Sequence, residues 1–231
     1  GMSSGYDSGA IACELNKQKI KFTAYSVSGS ENKSIIKDRF NIINQNADTY
    51  YLEGCMNEYI IAKKHVEKYV EPYTYEIFSS RNGYKEFIPL TQDGGANGLS
   101  LVCSNAIKEN KKIYLSGSGA DEIFSDYGWN GRTVAPHSNF CGLFPLMLES
   151  IFPWASFYGS SQITYLTKEE MVGGSYGIEC RYPFLDRQVV QEFLWLTAEL
   201  KNKFYKNVLH NYMIENNFPH SVEKKGFWYK D

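Results

Sequence analysis

Short apolar runs alternate with stretches of helical spacing through the first half of the chain, and this alternation most narrows the fold. Ile20-Lys21-Phe22-Thr23-Ala24-Tyr25-Ser26-Val27 is a β-rich run that ends in Ser-Gly-Ser turn chemistry. Tyr50-Tyr51-Leu52 reads as a second short strand. Asn57 to Tyr69 carries Ile60, Ile61, Val66 and Tyr69 near helical spacing, and Leu99 to Lys112 reads as another amphipathic helix. Lys111 to Leu115 then forms a strand running into a Gly-rich loop. Strands separated by helices imply parallel pairing through right-handed crossovers, with ligands gathered at the strand C-terminal ends. From about Phe140 the alternation fades, and Val189 to Leu200 and Tyr205 to Glu215 read as helices. The expectation is one α/β unit over about 1–135 with a helical portion over about 136–231 layered on its sheet.

Composition excludes several function classes. The 231 residues are 43% hydrophobic and 22% charged, which rules out disorder. Lys+Arg 24 against Asp+Glu 26 gives a formal charge of −2, so no basic excess supports general nucleic-acid binding. The five cysteines (Cys13, Cys55, Cys103, Cys141, Cys180) are scattered without a C-x-x-C pair. Neither a zinc site nor a disulfide framework fits, so reduced thiols and a cytoplasmic location are expected. No uncharged apolar run approaches the roughly 18 residues of a membrane span, and no signal peptide opens the chain. The histidines (His65, His137, His210, His220) lack ligand spacing.

Two loops carry the chemistry. Ser3-Ser4-Gly5-Tyr6-Asp7-Ser8-Gly9 combines small residues and hydroxyls directly before an apolar helix containing Ala10, Ile11, Ala12 and Leu15. Such a loop turns successive N–H groups outward, and the helix adds its positive dipole end, making a cradle for phosphate. Asp7 would repel an anion placed there, and a hard cation between them removes the conflict. Mg²⁺ binds one or two carboxylates plus phosphate oxygens. A plain Ser/Asp helix cap uses the same residues and needs no ligand. The second loop, Ser116-Gly117-Ser118-Gly119-Ala120-Asp121-Glu122-Ile123-Phe124, follows a strand and places an acidic pair at a helix start. Asp121 supplies a carboxylate able to share a metal with Asp7. Acidic residues complementing a helix dipole are the alternative there.

The first loop resembles the Ser-Gly-Gly-x-Asp-Ser pyrophosphate loop (PP-loop) of ATP pyrophosphatases, with Ser4 at the first glycine. A third segment, Tyr176-Gly177-Ile178-Glu179-Cys180-Arg181-Tyr182-Pro183-Phe184-Leu185-Asp186, resembles the G-x-E-x-R-x-P-F-L-D signature of the asparagine synthetase family. The second loop is similar to that family's S-G-E-G-x-D-E-x-F. Lys206-Asn207-Val208-Leu209-His210 resembles its K-x-x-L-R element, and Lys224-Lys225-Gly226-Phe227 its closing Lys-rich Gly-Phe stretch. The matches occur in family order over nearly the whole chain.

The resemblance implies a PP-loop α/β fold of the adenine nucleotide alpha-hydrolase-like kind, a parallel sheet with helices on both faces and a helical C-terminal portion. It implies ATP and Mg²⁺ as cofactors, an aspartate-like carboxylate adenylated with loss of pyrophosphate, and ammonia attacking to give an amide. Carried over by position, Ser3, Gly5, Asp7 and Ser8 hold pyrophosphate. Val27, Ser116 and Gly117 line the nucleoside side, and Asp7 and Asp121 coordinate Mg²⁺. Lys206 neutralises charge on the transferring phosphates. A solvated helix lysine is its alternative reading. Glu122, Arg181 and Asp186 are candidates for substrate contact, or, for Arg181 and Asp186, a structural bridge.

The chain departs from the family at three points. Ser118 occupies the catalytic loop position where the family has a glutamate, and a hydroxyl cannot take a proton as a carboxylate does. The family's basic residue before the P-F-L-D segment is Met171 here, with Lys168 as a substitute from a shifted backbone. The chain also opens at the PP-loop, where the family has a preceding central strand and an N-terminal glutaminase domain. An N-terminally truncated reading frame is therefore expected, with ammonia from a separate glutaminase domain or subunit. A gap in the sheet, filled by a neighbouring chain in a homodimer or by a rearranged strand, is expected as well.

Overall fold

The computed structural model describes residues 1–29, 31–53, 55–79, 84–135 and 137–221. Helix α1 (Tyr6–Lys17) leads into β1 (Phe22–Val27), α2 (Lys33–Ile43), β2 (Ala47–Leu52) and α3 (Met56–Tyr69). The side chain of Asn32 caps α2 by accepting the N–H groups of Ser34 and Ile35. With α2 as the crossover, β1 and β2 pair in parallel, Phe22 opposite Ala47 and Val27 opposite Leu52. The strands β3 (Thr74–Ser79) and β4 (Tyr84–Pro89) form an antiparallel hairpin outside the alternation read from the sequence. Helix α4 (Gly94–Lys108) starts upstream of Leu99, because the Asp93 carboxylate accepts the Gly95 N–H at 2.7 Å and caps it there.

Next come β5 (Ile113–Leu115), α5 (Ala120–Phe124) and the small strands β6 (Gly128–Trp129) and β7 (Arg132–Thr133). The C-terminal portion holds α6 (Ala155–Tyr158), α7 (Ser161–Gly174), β8 (Glu179–Arg181), α8 (Arg187–Trp195), α9 (Ala198–Asn202) and α10 (Asn207–Glu215). The expected helix from Val189 to Leu200 is thus two helices. Thr197 breaks it by capping α9, its hydroxyl accepting the Leu200 N–H at 3.3 Å.

Among the described residues the fold is mixed α/β with small parallel sheets. The pairs β1–β2 and β5–β8 are each parallel and separate, beside the antiparallel pairs β3–β4 and β6–β7. Residues 1–2 lie between the two parallel pairs. The Met2 N–H donates to the Tyr25 carbonyl of β1 at 2.7 Å, while Gly1 lies against the Tyr114 ring of β5.

Side-chain alternation along β1 divides the interior. Phe22 and Ala24 face one core with Tyr6, Ala10, Ile36 and Met213, so α1, α2 and α10 cover that side. Tyr25 and Val27 face a second core with Val66, Leu99, Val102 and Val172, contributed by α3, α4 and α7. This period of two puts helices on both faces of the β1–β2 pair. The helical C-terminal portion shares the first core with α1 through Phe193, Leu209 and Met213.

Candidate functional site

The first loop is shaped from within and from behind. The Ser3 and Ser8 hydroxyls lie 2.8 Å apart, and the Ser3 N–H donates to the Ser8 Oγ at 2.9 Å. The Ser4 N–H and hydroxyl both donate to the Glu31 carboxylate at 2.5 Å. Behind the loop, fully buried Arg39 donates to the carbonyls of Ser3, Ser4 (3.3 Å) and Gly5 (2.9 Å) and to that of Pro219 (2.8 Å). The carbonyls are thereby turned away from the cleft. Helix α1 has Gly5 as its N-cap with no side-chain cap hydrogen bond, and its positive dipole end faces the loop. Gly9 lets Arg39 in, since a Cβ there would sit 2.4 Å from Nη2.

The second loop meets the first at van der Waals contact. A Cβ on Gly117 would lie 2.8 Å from the Asp7 Cβ. The Ser116 N–H donates to the Arg181 carbonyl at 2.9 Å, extending the β5–β8 ladder into the loop. Gly119 takes φ +95° and packs on Leu185, so the P-F-L-D segment sets the loop's shape from outside.

Lys206 joins the two loops. Its Nζ lies 2.6 and 2.8 Å from the carboxylate oxygens of Asp7 and 2.8 Å from Asp121. The Tyr205 hydroxyl donates to the same Asp121 oxygen at 3.0 Å. Lys206 stands at the start of α10 with left-handed backbone, φ +47°, and its side chain is only 3% exposed. Burial opposes its charge, but Asp121 and Asp7 together hold the ammonium well above the ordinary lysine range.

These groups border a cleft of about 340 Å³. Ser3, Gly5, Asp7 and Ser8 line it from the first loop, Ser116, Gly117, Ser118, Asp121 and Glu122 from the second, with Lys206 between them. Beyond Ser118 the wall is formed by α4 and α7. There Lys168 donates to Asp93 at 3.0 Å, and the Tyr75 hydroxyl donates to the same carboxylate. The Ser118 hydroxyl donates to Glu169 at 2.8 Å. Glu122 accepts from the Gly119 N–H at 3.1 Å and from the Tyr127 hydroxyl.

No family model matches the chain, and no curated protein matches it. Among the described residues, no cluster of three or more His, Cys, Asp or Glu is placed to hold a metal ion, and no helix is long and apolar enough to cross a membrane. Asp7 and Asp121 are two carboxylates converging on one cation, a donor set that suits Mg²⁺ completed by phosphate oxygens.

Three of the candidate residues stand away from the cleft. Val27 is buried in the second core. Arg181 is 60% exposed on β8 and pairs with Glu179 at 2.8 Å, while Asp186 caps α8 by accepting the Gln188 N–H at 2.8 Å. The two serve separate partners and form no bridge to each other. Met171 packs against the second core, and the basic group at the cleft wall is Lys168. The Lys224 to Phe227 stretch lies outside the described residues. Reading the sequence missed Arg39, Asp93 and Glu169. The Asp93-Gly94-Gly95 start of α4 was the available cue for Asp93. Arg39 and Glu169 stand on helix faces without any local signal.

Proposed function

We propose that the chain is an ATP-dependent, AMP-forming amide ligase of the asparagine synthetase type on a PP-loop fold. It adenylates aspartate and forms the amide with ammonia. The observation that carries this reading is Lys206 held between Asp7 and Asp121 where the two loops meet. A buried lysine that bridges carboxylates from two Gly/Ser loops suits a polyphosphate, because such chemistry depends on positioning and charge neutralisation.

The roles divide by position. The leading N–H groups of α1 and the hydroxyls of Ser3 and Ser8 take the pyrophosphate end of ATP. Asp7 and Asp121 would hold Mg²⁺, which supplies further neutralisation of the departing pyrophosphate. An aspartate carboxylate oxygen attacks the α-phosphorus, the bond to pyrophosphate breaks, and Lys206 balances the charge that develops. Lys168 lies at the far wall, where the acceptor's own charged group is held.

A second reading keeps the chemistry but takes another carboxylate, as in the related β-lactam synthetases. Ser118 in the loop and Met171 turned to the core favour it. A third is an ATP-binding domain without turnover.

Carboxylate-dependent ATP–pyrophosphate exchange tests the proposal, run with aspartate beside a panel of other carboxylates. Exchange with aspartate supports the first reading, and exchange with another acid alone replaces it by the second. A protein that binds Mg·ATP and exchanges with none of them is the third.

A further inference from the structure

We infer that Glu169, delivered by helix α7, is the proton acceptor for the nitrogen nucleophile, with Ser118 as its positioning residue. The inference rests on the ligase reading above and assigns the step that Ser118 alone cannot perform.

Every other acidic side chain described at the cleft is already engaged. Asp7 and Asp121 share Lys206, Asp93 holds Lys168 and the Gly95 N–H, and Glu122 accepts from Gly119 and Tyr127. Glu169 differs. Its Oε1 accepts the Ser118 hydroxyl at 2.8 Å, while its Oε2 is buried without a hydrogen-bond partner among the described residues. A buried carboxylate oxygen without a donor is costly, and an N–H arriving with a ligand would satisfy it. Glu169 borders the cleft beside Ser116, Ser118 and Lys168. Burial pushes its carboxyl above the ordinary range, against the opposing pull of the Ser116 and Ser118 hydroxyls and Lys168. That direction brings a carboxylate closer to proton exchange with an amine.

The step balances without a redox partner. The ammonia lone pair forms the C–N bond at the acyl carbon of the adenylate, and the carbonyl electrons move onto oxygen. A proton passes from the new ammonium to Glu169 Oε2. The tetrahedral carbon then re-forms its carbonyl, and the bond to the AMP oxygen breaks with its electron pair.

The test separates two half-reactions in the wild type, Glu169→Gln, Glu169→Asp and Ser118→Glu/Glu169→Gln. Glu169→Gln should keep carboxylate-dependent pyrophosphate exchange within about twofold while amide formation falls by about 10²–10⁴-fold. Glu169→Asp should retain part of the amide rate, and Ser118→Glu/Glu169→Gln should recover it by returning a carboxylate to the loop. Wild-type amide formation in Glu169→Gln overturns the inference, as does loss of exchange and amide formation together. Absence of exchange in the wild type with every carboxylate overturns the ligase reading itself and this inference with it.

Discussion

Leu185 fills the space that a side chain on Gly119 would need: a Cβ at Gly119 would lie 2.4 Å from Leu185 Cδ2. Two segments far apart in the sequence are therefore fitted to each other, and φ +95° at Gly119 adds a backbone reason for glycine. Gly119→Ala should cost about 2–4 kcal/mol from strain and overpacking. Adding Leu185→Ala should relieve the overlap, so the double variant should be more stable than the sum of the singles by more than about 1 kcal/mol. Denaturant titrations of the four proteins check this, and simple additivity would refute it.

Lys206 contacts two carboxylates, Asp7 and Asp121, that point at one place. Lys206→Met removes the ammonium that both carboxylates contact, and breaking a buried pair in this way costs about 3–5 kcal/mol. Millimolar Mg²⁺ should restore more melting temperature to this variant than to the wild type, because it supplies the missing charge. Equal Mg²⁺ responses in the two proteins would count against a shared cation position.

Removing Arg39 should loosen the first loop. Arg39→Met strips donors from the carbonyls of Ser3, Ser4, Gly5 and Pro219 in a fully buried setting. Each unsatisfied buried group costs about 1–3 kcal/mol, so a total loss of at least about 3 kcal/mol is expected. Arg39→Lys keeps the charge but not the fork of donors and should recover less than half. Full recovery by lysine would mean that charge, not donor geometry, holds the loop.

Glu169 gives a pH signature with a definite sign. Burial raises its carboxyl above the ordinary 4.5, so the folded protein holds the proton longer than the unfolded chain. Stability from this residue is present at low pH and falls as pH rises from 4.5 through the folded-state value. Glu169→Gln carries no such penalty. It should melt higher than the wild type near neutral pH, and the difference should vanish below about pH 4.5. A constant difference across that range would show that Glu169 ionises freely in the folded state.

The site was readable where its residues are neighbours in the chain. Gly5, Asp7 and Ser8, or Ser116 to Asp121, announce a loop because small residues and hydroxyls cluster before an apolar helix. The strand β8 was harder, since three residues at Glu179–Arg181 are too few to show a period. Arg39 and Glu169 were not readable at all. Each is a single charged residue on a helix that also carries other charges, and only the packing of distant segments distinguishes it from a solvated one. For Asp186 the sequence left two readings, because a helix-capping carboxylate and a substrate-binding one look alike in a motif.

The six-residue strand β1 has a consequence for cooperativity. One core rests on Phe22 and Ala24 and the other on Tyr25 and Val27, so the same backbone is the floor of both. Melting either core frees this strand and strips the other of its support. Two separate hydrophobic interiors should therefore be lost together, in one all-or-none transition.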